Sequence, residues 1–138
     1  MKKFFQFDFE ADESAREIVT PLFLEKPNSD KEAIKCNAVW DTGATSSMIS
    51  ANMARRLSLA PTGITQIAGV HGISNAKSYL VNVVFGNGFT LHEIKVHEAA
   101  DCGGFDFLVG MDIICRGIML LDGVTDGKLK ARFQIEAE

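Results

Sequence analysis

Ala38-Val39-Trp40-Asp41-Thr42-Gly43-Ala44-Thr45-Ser46-Ser47-Met48-Ile49 places one acid between two apolar segments. Ala38-Val39-Trp40 reads as the end of a strand that starts near Ile34, and Met48-Ile49 as the start of the next apolar segment. The turn between them begins Asp-Thr-Gly. Such a turn holds one carboxylate at a strand end. Gly43 permits close backbone approach, and the Thr42 hydroxyl is available to lock the turn. An Asp that ends a strand is also an ordinary Asx-turn residue. The tripeptide alone therefore does not separate a reactive acid from a structural one, and the surrounding pattern decides.

Upstream, Phe5, Phe7 and Phe9 alternate with Gln6, Asp8 and Glu10, which predicts a strand with one buried face. Residues 18–24 read as a second strand, and Pro21 within it predicts an edge or a bend. Downstream, Ser50 caps a short helix reaching Leu57, with Ile49, Met53 and Leu57 on one face and Pro61 ending the segment. Ile64–Ile67 and Ser78–Phe85 form a hairpin around the glycine-containing tip Ala68-Gly69-Val70-His71-Gly72. Asn87-Gly88 is a turn signal. The alternation of Phe89–Leu91 and Ile94–Val96 slips at His92-Glu93, which predicts a bulge or a bend.

Phe105–Val109 is a short apolar strand, Gly110–Ile114 opens a short helix, and Gly117–Leu121 is a strand followed by a turn at Asp122-Gly123. In the last strand Leu129, Ala131, Phe133, Ile135 and Ala137 alternate with polar residues. Many short strands and few helical residues argue for a closed or sandwich-like β fold without repeats or linkers.

A length of 138 residues is one domain, and 46% hydrophobic with 23% charged residues is ordinary for a globular chain. A net charge of -4 supplies no basic patch, which argues against nucleic acid as a partner. No apolar stretch approaches the roughly 18 residues that span a bilayer. The start reaches Asp8 too soon for a signal peptide, so a cytoplasmic protein without membrane association is expected. Cys36, Cys102 and Cys115 lack CxxC spacing and read as reduced thiols. His92 and His97, five apart in a strand, point to opposite faces, so a shared metal site is not expected. Asp106 and Asp112 read as structural loop and helix-start acids.

Asp41-Thr42-Gly43-Ala44-Thr45 resembles the Asp-Thr/Ser-Gly signature of aspartic peptidases, in the form typical of the retroviral type. The order of parts from Asp41 to Leu121 is similar too. The catalytic loop comes first, then a flap-like hairpin with Gly69 and Gly72 near its tip. An apolar strand, Phe107-Leu108-Val109, follows and leads into the helix Gly110-Met111-Asp112-Ile113-Ile114. The resemblance implies an all-β, single-domain retropepsin-like acid-protease barrel with one or two short helices. Residues 34–121 would be the family-like core, and 122–138 a C-terminal hairpin or strand. Residues 1–33 would be an N-terminal extension: additional strands, a cover for the dimer surface or a removable propeptide.

This chain has one such signature and no second Asp-Thr-Gly or Asp-Ser-Gly, which is half an active site. The resemblance therefore implies a homodimeric aspartic endopeptidase acting on polypeptides. One carboxylate would activate a water and the other polarise the carbonyl, with no metal or cofactor. In aspartic proteases generally, two such carboxylates about 3 Å apart do not both ionise. The resemblance assigns Asp41, Thr42 and Gly43 to catalysis, and Ala44, Thr45, Gly69, Val70, His71 and Gly72 to substrate binding. Retroviral enzymes usually carry acids after Asp-Thr-Gly-Ala and a basic residue after the helix glycine. Here those positions are Thr45, Ser46 and Met111, which predicts an uncharged support for the loop. His71 stands where the flap tip often has another glycine. A catalytically silent or latent dimerisation or peptide-binding module on the same plan is the alternative function. The terminal strand is either an ordinary sheet strand or a dimer-interface strand.

Overall fold

A computed structural model describes residues 3–70, 72–100 and 102–137. The described residues form strands β1 (Lys3–Asp12), β2 (Ile18–Glu25), β3 (Ile34–Trp40), β4 (Met48–Ser50), β5 (Gly63–Gly69), β6 (Gly72–Val84), β7 (Thr90–Ala99), β8 (Phe107–Val109), β9 (Gly117–Thr125) and β10 (Lys128–Ala137). Two short helices complete them, α1 (Ala51–Arg56) and α2 (Met111–Ile114).

The larger sheet has the order β2-β3-β8-β4-β7-β6-β5, and β2 also pairs with β6. That second pairing closes six strands into a barrel and leaves β5 outside as one arm of a hairpin. Closure removes the edges that an open sheet would present. Pro21 lies where β2 is paired with β3 alone; the β6 pairing begins at Phe23. A residue with no N–H to donate is tolerated at such an edge. The interior holds Leu22, Leu24, Ala38, Val81, Val83, Phe107 and Val109, each fully or almost fully buried. Strands paired on both sides read as alternating or continuous apolar runs, which is the pattern seen in Ile34–Trp40.

The smaller sheet has the order β1-β10-β9. β1 and β10 pair antiparallel along their whole length, from Lys3↔Ala137 to Asp12↔Lys128. Their inward aromatics join this sheet to the barrel. Phe9 stacks on Trp40 at 5.6 Å, Trp40 lies 5.2 Å from Phe133, and Phe133 stacks on Phe85 at 6.0 Å. The Trp40 indole Nε1 donates to Thr20 Oγ1 at 2.9 Å, so the buried polar atom of the cluster is satisfied. The residue before Asp41 is thereby fixed by both sheets. Phe133→Ala, which empties the centre of this cluster, should lower the unfolding free energy by about 3–5 kcal/mol, measured by urea titration.

The bulge expected at His92-Glu93 is present. Val81 pairs with Ile94 and Val83 with Leu91, so two residues oppose Asn82, whose Oδ1 accepts the Glu93 N–H at 2.8 Å. The turn expected at Asp122-Gly123 is not there: β9 runs on to Thr125, and the chain reverses at Asp126-Gly127, φ 54° and 74°. Gly123, φ +73°, instead lies opposite a register shift between Leu129 and Ala131. Both Asp-Gly pairs suit a tight reversal, and pairing with β10 selects the later one. The terminal strand β10 is an ordinary sheet strand in the middle of its sheet, with β1 and β9 on either side.

Candidate active site

Asp41 leaves the barrel where β3 and β8 run parallel. Trp40 pairs with Val109, and the Asp41 N–H continues the ladder to the Val109 carbonyl at 2.9 Å. The chain then turns, with the Ala44 N–H reaching the Asp41 carbonyl at 3.2 Å and the Gly43 N–H donating to Asp41 Oδ1 at 2.8 Å. This is an Asx-type turn, and the same bond orients the carboxylate. A Cβ on residue 43 would sit 3.1 Å from that oxygen, so the glycine keeps the acid uncrowded.

The far side of the loop is clamped to α2. The Met111 N–H donates to the Ala44 carbonyl at 2.8 Å, and the Gly110 N–H to Ser47 Oγ at 3.0 Å. A Cβ on residue 110 would lie 2.7 Å from the Ser46 carbonyl carbon, so only glycine lets helix and loop meet this closely. Buried Ser47 donates its N–H to Asp112 Oδ2 at 3.0 Å and its hydroxyl to Asp112 Oδ1 at 2.7 Å.

The expectation of an uncharged support is thereby corrected: a carboxylate holds the loop, and its donors are a hydroxyl and an amide rather than a guanidinium. Asp112 is structural, as read from the sequence. So is Asp106, whose Oδ2 accepts the Asn37 N–H at 3.0 Å. Asp112→Ala would leave two buried donors of Ser47 unpaired. It should cost about 1–3 kcal/mol in urea unfolding, and Asp112→Asn, which keeps an acceptor, should cost less.

The loop separates two clefts. On one side, a cleft of about 600 Å³ is lined by Asp41 and Thr42 with Val39, Met48, Leu108, Met119 and Leu121, and by Cys102, Gly103 and Phe105 of the following loop. Asp41 is half-buried there and Thr42 is exposed. Among the described residues Glu17 is the other carboxylate on this cleft, and it is exposed. On the other side, a cleft of about 420 Å³ lies between Gly43, Ala44, Thr45 and Ser46 of the loop and Thr65, Gln66, Ile67 and Ala68 of β5, with Met48 and His97 also lining it. A third cavity of about 410 Å³, on the smaller sheet beside Asp8 and Arg132, includes no loop residue.

The β5–β6 hairpin is the flap-like element, in register from Gly63↔Ser78 to Gly69↔Gly72. Val70 at its tip is 99% exposed, and Gly72 takes φ +106°, which favours glycine. The structure thus brings Asp41 and Thr42 together on one cleft, and Gly43, Ala44 and Thr45 together on the other. The tip residues Val70 and Gly72 line neither. His71 lies outside the described residues.

In the sequence His97 raises only the question of a metal site shared with His92. Its Nδ1 lies 3.2 Å from Ser78 Oγ, which is 2.8 Å from Thr65 Oγ1, so a polar chain crosses β7, β6 and β5. Burial lowers the His97 pKa below the ordinary histidine range, Lys95 adds to the depression, and Asp112 opposes it. Only the pairing of Ser78 with His97 across β6 and β7 could have signalled this chain, and that register is a tertiary property. Among the described residues no group of His, Cys, Asp or Glu could hold a metal ion. No helix among them is long and apolar enough to cross a membrane. Burial pushes the Cys36 thiol up to about 12, which makes it a poor nucleophile.

Residues 31–116 match the family model described as "gag-polyprotein putative aspartyl protease", well over half of the chain. The structure is similar to that of a retropepsin-like aspartic protease from Rickettsia conorii, with a TM-score of 0.60 at 17% identity, covering 100% of this chain and 98% of that one. It is also similar to EIAV protease complexed with the inhibitor HBY-793, with a TM-score of 0.56 at 20% identity, covering 74% of this chain and 88% of that one. At these identities the likeness is one of fold. No curated protein matches the chain.

Proposed function

The chain belongs to the gag-polyprotein aspartyl protease family, with a retropepsin-like all-β fold, and on that premise we propose that it is an aspartic endopeptidase working as a homodimer. The observation that carries the reading is the placement of Asp41. Its carboxylate lies half-buried on a cleft wall, oriented by the Gly43 N–H, on a loop anchored at Val109, Met111 and Asp112. That is the preorganisation an acid-base catalyst needs.

Hydrolysis by carboxylates alone needs a second acid. Among the described residues, Asp112 and Asp106 are occupied by backbone and hydroxyl donors, and Glu17 stands exposed with no hydrogen bond to fix it. The second acid is the partner subunit's Asp41. One carboxylate takes a proton from the shared water as its oxygen attacks the peptide carbon. The other gives its proton to the carbonyl oxygen, forming a tetrahedral diol. Collapse breaks the C–N bond: the departing nitrogen takes the proton that the first carboxylate drew from water, and one diol hydroxyl returns a proton to the second carboxylate, which restores the starting state.

Thr42, exposed on the same cleft, makes no hydrogen bond to the described residues of its own chain, and its hydroxyl would bond across the dyad. Ala44, Thr45 and the β5–β6 hairpin bind an extended peptide, whose backbone pairs with strand edges. Cleavage of a diverse peptide mixture, read by mass spectrometry between acidic and neutral pH, tests the activity. No cuts from a folded, dimeric protein would leave a peptide-binding module as the function.

A further inference from the structure

The cleft between the catalytic loop and the hairpin arm differs in chemistry from the one that holds Asp41. Its polar lining comes from Thr45, Ser46, Thr65, Gln66 and His97, and among the described residues no carboxylate lines it. His97 is its single ionisable group among those residues. Ser78 occupies Nδ1, which leaves Nε2 as the nitrogen available to a ligand. We infer that this cleft is a subsite for a peptide side chain bearing a carboxylate, and that His97 is the residue that selects it in mildly acidic solution. The inference deepens the peptidase reading and rests on it for the claim that a peptide occupies the cleft.

The position of His97 makes it both a wall and a charge. It pairs with Ser78 of β6 on one side and with Met48 of β4 on the other, and its backbone N–H reaches the Ser47 carbonyl at 3.3 Å. Its partners on β6 and β4, Ser78 and Met48, are uncharged. The charged groups acting on it are Lys95 of its own strand and Asp112 of α2, and they pull in opposite directions. With burial added, the imidazole is neutral at pH 7 and gains its proton only below the ordinary value near 6.5. A glutamate side chain loses its charge below about 4.3. The attraction is therefore confined to the interval between those two limits and fades on either side.

The test uses peptide pairs that differ only as Glu or Gln at each position around the cut. Cleavage is measured with the wild type and His97→Gln. Binding is measured by fluorescence anisotropy with Asp41→Asn, in which residue 97 is unchanged, both at pH 5 and pH 7. At one position Glu should be favoured over Gln by about fivefold or more at pH 5 and by little at pH 7. His97→Gln, which can still bond Ser78, should abolish the difference. Cleavage without such a preference, or a preference that His97→Gln leaves intact, overturns the subsite and leaves the peptidase reading standing. Selective binding without cleavage overturns the peptidase reading and leaves the subsite standing. Neither binding nor cleavage overturns both. The wild-type pH dependence decides the matter if His97→Gln fails to fold.

Discussion

Asp41→Asn should remove peptide cleavage and leave the fold and the dimer intact. The substitution is nearly isosteric, and its amide oxygen can still accept the Gly43 N–H now held at 2.8 Å by Asp41 Oδ1. The anchors of the loop at Val109, Met111 and Asp112 do not involve the side chain that changes. What disappears is the ability to take and give a proton, and losses for such groups run to about 10²–10⁴-fold. Rates on the peptide mixture, with circular dichroism on the same samples, measure both halves of the expectation. A mixing experiment extends it. If each dimer needs both acids, activity falls as the square of the wild-type fraction when variant and wild-type subunits exchange. A linear fall would mean that each subunit works alone, and full activity in Asp41→Asn would refute the assignment of Asp41.

The parts of the fold that could be read from the sequence are those set by neighbours along the chain. The alternation of Phe5, Phe7 and Phe9, the Ser50 cap that accepts the Met53 N–H, and the slipped register at His92-Glu93 are local patterns with local causes. The turn at Asp41 is equally legible, because a strand end, a Thr and a Gly are adjacent in sequence. What could not be read lies between distant residues. Ser47 and Asp112 are 65 positions apart, and a serine that donates to a carboxylate leaves no charge pattern to detect. The need for Gly110 arises from Ser46 across the same gap. The closure of the barrel by β2 and β6, and the chain from Thr65 through Ser78 to His97, depend on registers that sequence alone does not fix. The misplaced turn has the same origin. Asp122-Gly123 and Asp126-Gly127 are locally equivalent, and their pairing with β10 separates them.

Charging the free edge of β9 should turn the protein into an inactive monomer. β10 is flanked by β1 and β9, so the chain's own end has no free edge to give a partner, whereas β9 is an edge strand. It also exposes Ile118 at 61%, Leu120 at 44%, Leu121 at 57% and Val124 at 53%, an apolar display that isolated soluble domains seldom tolerate on an edge. Leu121 and Met119 line the same cleft as Asp41 and Thr42, so a second copy seated on this strand would lie beside the Asp41 loop. An isologous contact, β9 against β9, would bring two copies of that loop to one axis. The double substitution Ile118→Lys with Leu121→Asp should weaken association by about 10²-fold or more, since buried apolar anchors dominate such interfaces. Light scattering should then give the mass of one chain. Cleavage should fall with it and recover partly as protein concentration is raised, because the active species forms by mass action. The retained fold, checked by urea unfolding, distinguishes lost assembly from lost structure. A variant that stays dimeric would move the interface to another surface, and a monomer with undiminished activity would end the proposal of a dyad shared between two subunits.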